Sequence, residues 1–92
     1  MERKCIGIIG ASGVIGSAVA KALDSEGFRL GLHYCSNKSA IDDLLDLSSR
    51  SSEHYACQSS LESFDSGVQI IDTFRTHFGE LHGLALCAGR VP

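Results

Sequence analysis

A short apolar run followed by three glycines at intervals of three constrains the fold of this chain more than any other feature. Ile8 and Ile9 precede Gly10, Gly13 and Gly16. Beyond them, apolar residues recur at helical spacing, at Ile15, Ala18, Val19, Ala22 and Leu23. A strand, a glycine turn and a helix in succession form the phosphate-binding corner of nucleotide-binding α/β proteins. One glycine permits the sharp turn, one lets backbone approach a pyrophosphate, and one lets the helix pack on the strand.

Size and charge narrow the class of protein further. At 92 residues the chain forms one domain at most, and its hydrophobic content of 43% is ordinary for a globular protein. The net charge is -3 and the eight Lys and Arg residues are scattered, which argues against nucleic acid as a partner. No segment approaches the run of about 20 apolar residues that spans a membrane, so no membrane partner is expected.

The four cysteines predict a reducing compartment. Cys5, Cys35, Cys57 and Cys87 form no C-x-x-C pair, and each falls in or beside an apolar run that reads as a strand. We therefore expect buried, reduced thiols in a cytoplasmic protein. The N-terminus superficially resembles a secretory signal, but the stretch after Lys4 contains four glycines, which make a poor apolar core.

Strand patterns alternate with helix patterns along the chain. After the glycine-bounded first strand, further strands are predicted at 28–34, 54–57 and 81–88. The first helix is expected to stop at Gly27 and the third at Gly79, because helices often end on a residue with positive φ. Ser39 is the predicted N-cap of the second helix, and Asp65 or Ser66 that of the third.

The order β-α-β-α-β-α-β predicts an α/β fold with a parallel sheet. Right-handed crossovers lead to the spatial strand order 3-2-1-4, a partial doubly wound, or Rossmann, sheet. This sheet is expected to be incomplete at its C-terminal edge, where the fourth strand would leave an apolar side unpaired. Residues 1–92 are accordingly interpreted as the N-terminal dinucleotide-binding part of a Rossmann domain.

Three segments carry a resemblance to a known family. They are Gly10-Ala11-Ser12-Gly13-Val14-Ile15-Gly16, His33-Tyr34-Cys35-Ser36-Asn37, and Phe78-Gly79-Glu80-Leu81-His82-Gly83-Leu84-Ala85-Leu86-Cys87-Ala88-Gly89. At this spacing the chain resembles the N-terminal part of a short-chain dehydrogenase/reductase, closest in style to reductases of 3-oxoacyl thioesters. The resemblance covers nearly all 92 residues but less than half of a usual family member.

The chain departs from the family pattern at three places. Val14 stands where the G-x-x-x-G-x-G version has its second glycine, so that Gly13 gives G-x-x-G-x-x-G instead. Leu86 and Cys87 replace the two asparagines of the family's Asn-Asn-Ala-Gly, which implies an altered cofactor side. The acidic residue that usually follows the third strand is replaced near Gln58, whose amide can still hydrogen-bond an adenine amino group.

The resemblance implies a set of cofactor-binding residues. These are Gly10, Ser12, Gly13, Val14, Ile15, Gly16, Cys35, Ser36, Asn37, Lys38, Gln58, Ser59, Cys87, Ala88 and Gly89. An NAD site usually carries an acidic residue about 20 positions beyond the glycines. That region here has no acid but contains Lys38, which favours a 2′-phosphate and hence NADP over NAD. The competing interpretation is that Lys38 is an ordinary solvated residue at a helix start.

The family's catalytic residues are missing from this sequence. Family members use a Ser and a Tyr-x-x-x-Lys pair on one helix. Tyr34 and Lys38 have that spacing, but Tyr34 ends an apparent strand, so we interpret the pair as coincidence. No metal-ligand spacing joins His33, His54 or the other histidines, for which surface or structural roles are expected. No catalytic and no metal-binding residue is therefore predicted.

The function expected is that of the NADP(H)-binding portion of a short-chain reductase acting on a small carbonyl or alcohol substrate. Alone, the chain is expected to be inactive, whereas a full-length enzyme is expected to transfer hydride and to be able to form homo-oligomers. The alternatives are a noncatalytic dinucleotide-binding or regulatory module, and a truncated inactive fragment. A Tyr-x-x-x-Lys motif beyond Pro92 would distinguish the cofactor-binding portion of an enzyme from these two alternatives.

Overall fold

Four strands and three α-helices alternate along the chain in the computed structural model, which describes residues 4–49, 51–61 and 64–87. A single-turn 3-10 helix, Ser51–Glu53, precedes the third strand. The elements are β1 (Cys5–Ile9), α1 (Val14–Ser25), β2 (Arg29–Tyr34), α2 (Lys38–Leu47), β3 (Tyr55–Gln58), α3 (Phe64–Phe78) and β4 (Gly83–Leu86).

The sheet is parallel throughout and has the order β3-β2-β1-β4. Its register places Ile8 opposite Leu32 on one side and opposite Ala85 on the other, while Leu32 lies opposite Ala56. The predicted α/β class and strand order 3-2-1-4 are confirmed. Because β1 occupies the interior of the sheet, the turn that follows it has neighbouring strand ends on both sides.

The two faces of the sheet have separate cores because successive strand residues point to opposite faces. On one face, Ile8, Leu30 and Leu32 pack with Ile41 and Leu44 of α2. On the other, a smaller cluster contains the buried residues Ile9, Ile70 and Phe74.

Two glycines facing each other across adjacent strands make room for the ring of Phe74. Gly7 lies opposite Gly31 in the register of β1 and β2. A Cβ added at Gly31 would approach the ring of Phe74 to 2.6 Å, and one at Gly7 would approach it to 2.9 Å. The fully buried Phe74 therefore anchors α3 directly on the backbone of the two central strands.

The helix ends follow the expected glycine rule, but the N-caps do not follow the prediction. Gly27 and Gly79 have φ of 94° and 86°, as predicted for the stops of α1 and α3. The N-cap of α2 is Asn37, whose Oδ1 accepts from the Ala40 N–H at 3.3 Å. Ser39 was the wrong choice because it lies one residue inside the helix, where its hydroxyl donates to Asn37 Oδ1 instead.

The predicted caps of α3 were also wrong. Because this helix begins at Phe64, both Asp65 and Ser66 lie within its first turn rather than before it. The carboxylate of Asp65 still interacts favourably with the positive end of the helix dipole.

The strand bounds shift by one or two residues from the prediction, and the predicted end of the fourth strand at Ala88 lies outside the described residues.

The thiols are free, as expected, but they are not uniformly buried. Cys5 is buried, whereas Cys57 and Cys87 are half-buried and Cys35 is exposed. The expectation of burial was wrong for Cys35 because it follows the last residue of β2 and so lies beyond the core. Burial raises the pKa of the Cys57 thiol.

The outer side of β4 has no strand partner among the described residues, and the side chains of Leu84 and Leu86 are exposed. Within 4–49, 51–61 and 64–87, no helix is long and apolar enough to span a bilayer.

Candidate functional site: the carboxyl edge of the sheet

The carboxyl edge is the side of the sheet at which β1, β2, β3 and β4 end, and the glycine turn lies at its centre. Gly10 leaves β1 with φ of 84°, a left-handed conformation that strains other residues. The turn is held by the Ala11 N–H, which donates to the carbonyl of His33 at 2.8 Å, and by a longer bond from Gly13 N–H to Gly10 O at 3.4 Å. The end of β2 therefore fixes the position of the turn after β1.

Gly16 brings α1 into direct contact with this turn. A Cβ added at Gly16 would collide with the carbonyl oxygen of Gly10 and lie 2.9 Å from the Cα of Ala11. Ser17 reinforces the contact, since its hydroxyl donates to Ala11 O at 3.1 Å. The fold itself therefore requires the first and third glycines, one for its φ and the other for space.

Gly13 is different, because the fold does not require a glycine there. Its φ of -76° and ψ of 172° are open to any residue, and the nearest atom to an added Cβ is Gly10 O at 3.7 Å. Gly13 is the N-cap of α1, no side chain caps the helix, and its first turn contains no acidic residue. The first N–H groups of α1 thus meet none of the carboxylates that commonly occupy helix N-termini.

The other members of the predicted phosphate segment surround this N-terminus. Ser12 is half-buried, whereas Val14 and Ile15 are 90% and 70% exposed. These two apolar side chains make an accessible apolar rim beside the N–H groups of the helix.

The residues predicted to surround the ribose lie in the loop after β2 and at the start of α2. Cys35, Ser36 and Asn37 are exposed. The ammonium of Lys38 contacts both carboxylate oxygens of Asp42, at 3.1 Å and 3.0 Å, and its side chain is 69% exposed. The hydrogen bond to Asp42, assisted by its negative charge, raises the pKa of Lys38.

The ends of β2 and β3 are joined by two hydrogen bonds. The side-chain amide of Gln58 donates to Cys35 O at 3.0 Å, and the Ser59 N–H donates to Tyr34 O at 3.0 Å. The residues predicted for the ribose and for the adenine are therefore brought together. At the other flank of the turn, the Cys87 N–H donates to Ile9 O at 2.8 Å. Ala88 and Gly89 lie outside the described residues.

His33 was not predicted as a site residue, yet it lies at the centre of this edge. It is 2% exposed, with Nδ1 3.1 Å from the Gly10 nitrogen and Nε2 2.7 Å from the carbonyl oxygen of Ser59. The sequence placed it in a predicted strand and left a surface or a structural role open. Its bonding partners lie 23 and 26 residues away in sequence, and no local pattern identifies them.

Tyr34 and Lys38 lie on different elements of the fold. Tyr34 is the last residue of β2 and packs in the core with Ile41 and Leu44, whereas Lys38 is the first residue of α2. They therefore do not occupy adjacent turns of one helix, and the interpretation of their spacing as coincidence stays a prediction.

A second polar cluster lies near the opposite, amino edge of the sheet. A cavity of about 180 Å³ between α1 and α2 is lined in part by Asp24, Ser48 and His54. The hydroxyl of Ser48 donates to Asp24 at 3.0 Å, and His54 Nε2 lies 2.9 Å from the same oxygen. Because His54 Nδ1 already accepts the Leu30 N–H at 3.0 Å, the ring has no nitrogen left to act as a base for Ser48. In the described part of the chain, no group of residues has the composition of a metal site.

This fold and its glycine turn match a known family. The family model described as short chain dehydrogenase matches residues 4–92, and the chain therefore belongs to that family. Members bind nicotinamide dinucleotide cofactors and a substrate. The resemblance to the short-chain dehydrogenase/reductase family is confirmed.

Solved structures agree with the assignment. Acetoin dehydrogenase from Enterobacter cloacae is 25% identical, with a TM-score of 0.83 over 100% of this chain and 36% of that chain. A doubly substituted short-chain dehydrogenase/reductase from Serratia marcescens has the same fold, with 23% identity and a TM-score of 0.84 over 97% of this chain and 37% of that chain. This chain thus spans little more than a third of the length of these proteins. No curated protein matches it.

Proposed function

We propose that this chain is the NADP(H)-binding portion of a short-chain dehydrogenase/reductase that interconverts carbonyl and alcohol groups. The observation that carries the proposal is the N-terminus of α1 at Gly13, where no side chain caps the helix, no carboxylate lies in the first turn, and the fold does not require the glycine. A bound pyrophosphate explains all three features, because it takes the N–H groups of the helix and needs a close backbone approach.

The carboxyl edge offers the remaining parts of a dinucleotide site in the order that the ligand needs. Gly10, Ser12 and Gly13, with Val14, Ile15 and Gly16, surround the pyrophosphate. In this proposal Cys35, Ser36, Asn37 and Lys38 face the ribose, Gln58 and Ser59 the adenine, and Cys87 the nicotinamide side. Ala88 and Gly89, which the family resemblance assigns to the nicotinamide side, lie outside the described residues. In open α/β sheets ligands bind outside the carboxyl ends of the strands, which supports this arrangement.

The choice of NADP over NAD rests on Lys38. The described residues after β2 contain no acidic side chain before Asp42, so the carboxylate that usually binds a free ribose 2′-hydroxyl is missing there. Lys38 is held by Asp42, but water and salt screen an exposed ion pair of this kind, so the pair is weak. A 2′-phosphate, with its larger charge, can compete for the ammonium.

A variant pair tests that choice. In Lys38→Ala the Kd for NADPH should rise about tenfold, the scale of one charge-assisted hydrogen bond, while the Kd for NADH stays within about twofold. Lys21→Ala, which removes the same charge from the exposed face of α1, should change neither value. An equal loss for both cofactors would refute the 2′-phosphate role.

The chain's own contribution is binding and orientation. When bound, the cofactor supplies the hydride chemistry, and the protein holds the dinucleotide along the carboxyl edge. The sequence contains no Tyr-x-x-x-Lys other than Tyr34 and Lys38, which the fold separates. We therefore propose that residues 1–92 alone bind the cofactor but do not transfer hydride.

One observation favours a second candidate, a noncatalytic dinucleotide-binding module. The exposed Leu86 and the half-buried Cys87 stand where the family has two asparagines, which changes the nicotinamide side while leaving the phosphate turn intact.

Titration of NADPH and NADH, followed by calorimetry and by cofactor fluorescence, tests the shared proposal of binding. Saturable binding of NADPH, tighter than that of NADH, is expected. An absence of binding of either cofactor to folded protein would contradict both candidates.

A further inference from the structure

His33 connects three strand ends at the carboxyl edge through its side chain and backbone. Its Nδ1 accepts from the Gly10 N–H, its Nε2 lies 2.7 Å from Ser59 O, and its own carbonyl accepts from the Ala11 N–H. One residue of β2 is thus bonded to two successive residues of the glycine turn and to the loop after β3. The ring is 2% exposed, so water does not compete for these bonds.

The bonds assign the tautomer of the ring. A nitrogen that accepts an N–H bond carries no hydrogen, so the proton of the neutral imidazole lies on Nε2 and is donated to Ser59 O. Both nitrogens are then used, each in the only role open to it. An apolar residue of similar size would leave the N–H of Gly10 and the carbonyl of Ser59 without these partners.

We propose that His33 is a positioning residue for the cofactor, an inference that rests on the proposed dinucleotide site. Its neutral imidazole fixes the distance between the pyrophosphate turn at Gly10 and the adenine-side loop at Ser59. The two subsites touch different parts of one ligand, and misplacing either one by a fraction of an ångström weakens binding to both. His33 itself contacts no cofactor atom in this scheme.

The amino edge provides an internal comparison. His54 accepts the Leu30 N–H at Nδ1 with Nε2 beside Asp24, and His82 accepts the Cys5 N–H at Nδ1 with Nε2 3.3 Å from Glu80. These rings make the same kind of bond, but they lie far from the glycine turn. Loss of either one should therefore lower stability without changing the affinity for a dinucleotide.

The test compares His33→Leu, His33→Asn and His54→Leu. His33→Leu removes both bonds and should raise the Kd for NADPH by about tenfold or more. His33→Asn presents an amide oxygen near the position of Nδ1 and keeps only the bond to Gly10, so its Kd should lie between those of the parent and of His33→Leu. His54→Leu is the matched control and should keep the Kd within about twofold of the parent at temperatures where all variants are folded.

The outcomes distinguish a failure of the proposed dinucleotide site from a failure of the positioning role of His33. If the parent binds neither NADPH nor NADH, the proposed function fails and the positioning role fails with it. If the parent binds but His33→Leu binds equally well, only the positioning role is overturned. The same holds if His33→Asn and His54→Leu lose as much affinity as His33→Leu, because the loss would then be a general effect of destabilisation.

A spectroscopic measurement on the parent covers the case in which His33→Leu does not fold. Imidazole ¹⁵N shifts should show a neutral ring protonated on Nε2, and addition of NADPH should shift the resonances of His33 and of the Gly10 amide together. A ring protonated on Nδ1, or no response of His33 to saturating NADPH, would overturn the proposal.

Discussion

The two edges of the sheet differ in where the chain places its carboxylates. At the amino edge, histidine rings accept strand N–H groups, and carboxylates of the same chain, Asp24 and Glu80, lie beside their other nitrogens. At the carboxyl edge, His33 also accepts an N–H group, but its other nitrogen lies beside the carbonyl of Ser59. The described residues of the loops at this edge contain no acidic side chain, and the N-terminus of α1 has no side-chain cap. We propose that this difference reflects the binding of an anionic ligand at the carboxyl edge.

The largest loss of stability is expected at the contact between α1 and the glycine turn. Gly16→Ala drives a Cβ into the carbonyl of Gly10, which is backbone and cannot move aside as a side chain would. We expect a loss of about 1–3 kcal/mol in the free energy of unfolding, measured by urea denaturation, and weaker NADPH binding.

Gly67→Ala is the matched control for that substitution. A Cβ at Gly67 in α3 meets nothing within 4 Å, so the change should stabilise the helix by up to about 1 kcal/mol. Equal stability of the Gly16→Ala and Gly67→Ala variants would show that α1 does not rest on the turn as described.

Substitutions at the amino edge should lower stability without changing the affinity for the cofactor. Asp24→Ala removes the oxygen that the Ser48 hydroxyl and the His54 ring share. We expect a loss of about 1–2 kcal/mol in the free energy of unfolding, with the Kd for NADPH unchanged. A rise in that Kd comparable to the one expected for His33→Leu would show that the two edges are not independent.

The smallest expected effect is a difference in thiol reactivity. Cys35 is exposed at the carboxyl edge, whereas burial raises the pKa of Cys57 and keeps its thiolate scarce near neutral pH. Iodoacetamide should modify Cys35 several times faster, as followed by mass spectrometry of peptides, and NADPH should slow that reaction. The rate for Cys57 should keep rising at alkaline pH, above the range of an ordinary thiol. Faster modification of Cys57, or no protection by NADPH, would contradict the assignment of this edge.

The parts of the fold that depend on local repetition were predictable from the sequence. Alternating strand and helix patterns identified each strand and α-helix of the described residues, although not the 3-10 helix Ser51–Glu53, and the rule for crossover connections gave the strand order. Gly10, Gly27 and Gly79 have the positive φ that their positions demand. These features follow from residues close together in the chain, which is why the pattern alone revealed them.

The features that depend on strand register were not predictable. The role of His33 requires Gly10 and Ser59 to meet the same ring across three strands, and the exposure of Cys35 depends on where β2 ends. The choice of Asn37 over Ser39 as the cap of α2 turned on a helix start two residues earlier than expected. Each of these features depends on a strand register or an element boundary that is set to within one or two residues. The secondary-structure propensities of the residues do not define boundaries that closely.

The central claim is that the carboxyl edge at Gly13 receives the pyrophosphate of a dinucleotide, and Gly13→Asp tests it most directly. Aspartate is a good N-cap and the fold accommodates its Cβ, so stability should be unchanged or slightly higher. Gly13→Asn caps equally well without the charge and is the matched control. We predict that the Asp variant binds NADPH about 100-fold more weakly than the parent, through charge repulsion, with a clearly smaller loss for Asn. Equal NADPH affinity of the folded Asp and Asn variants would contradict the account.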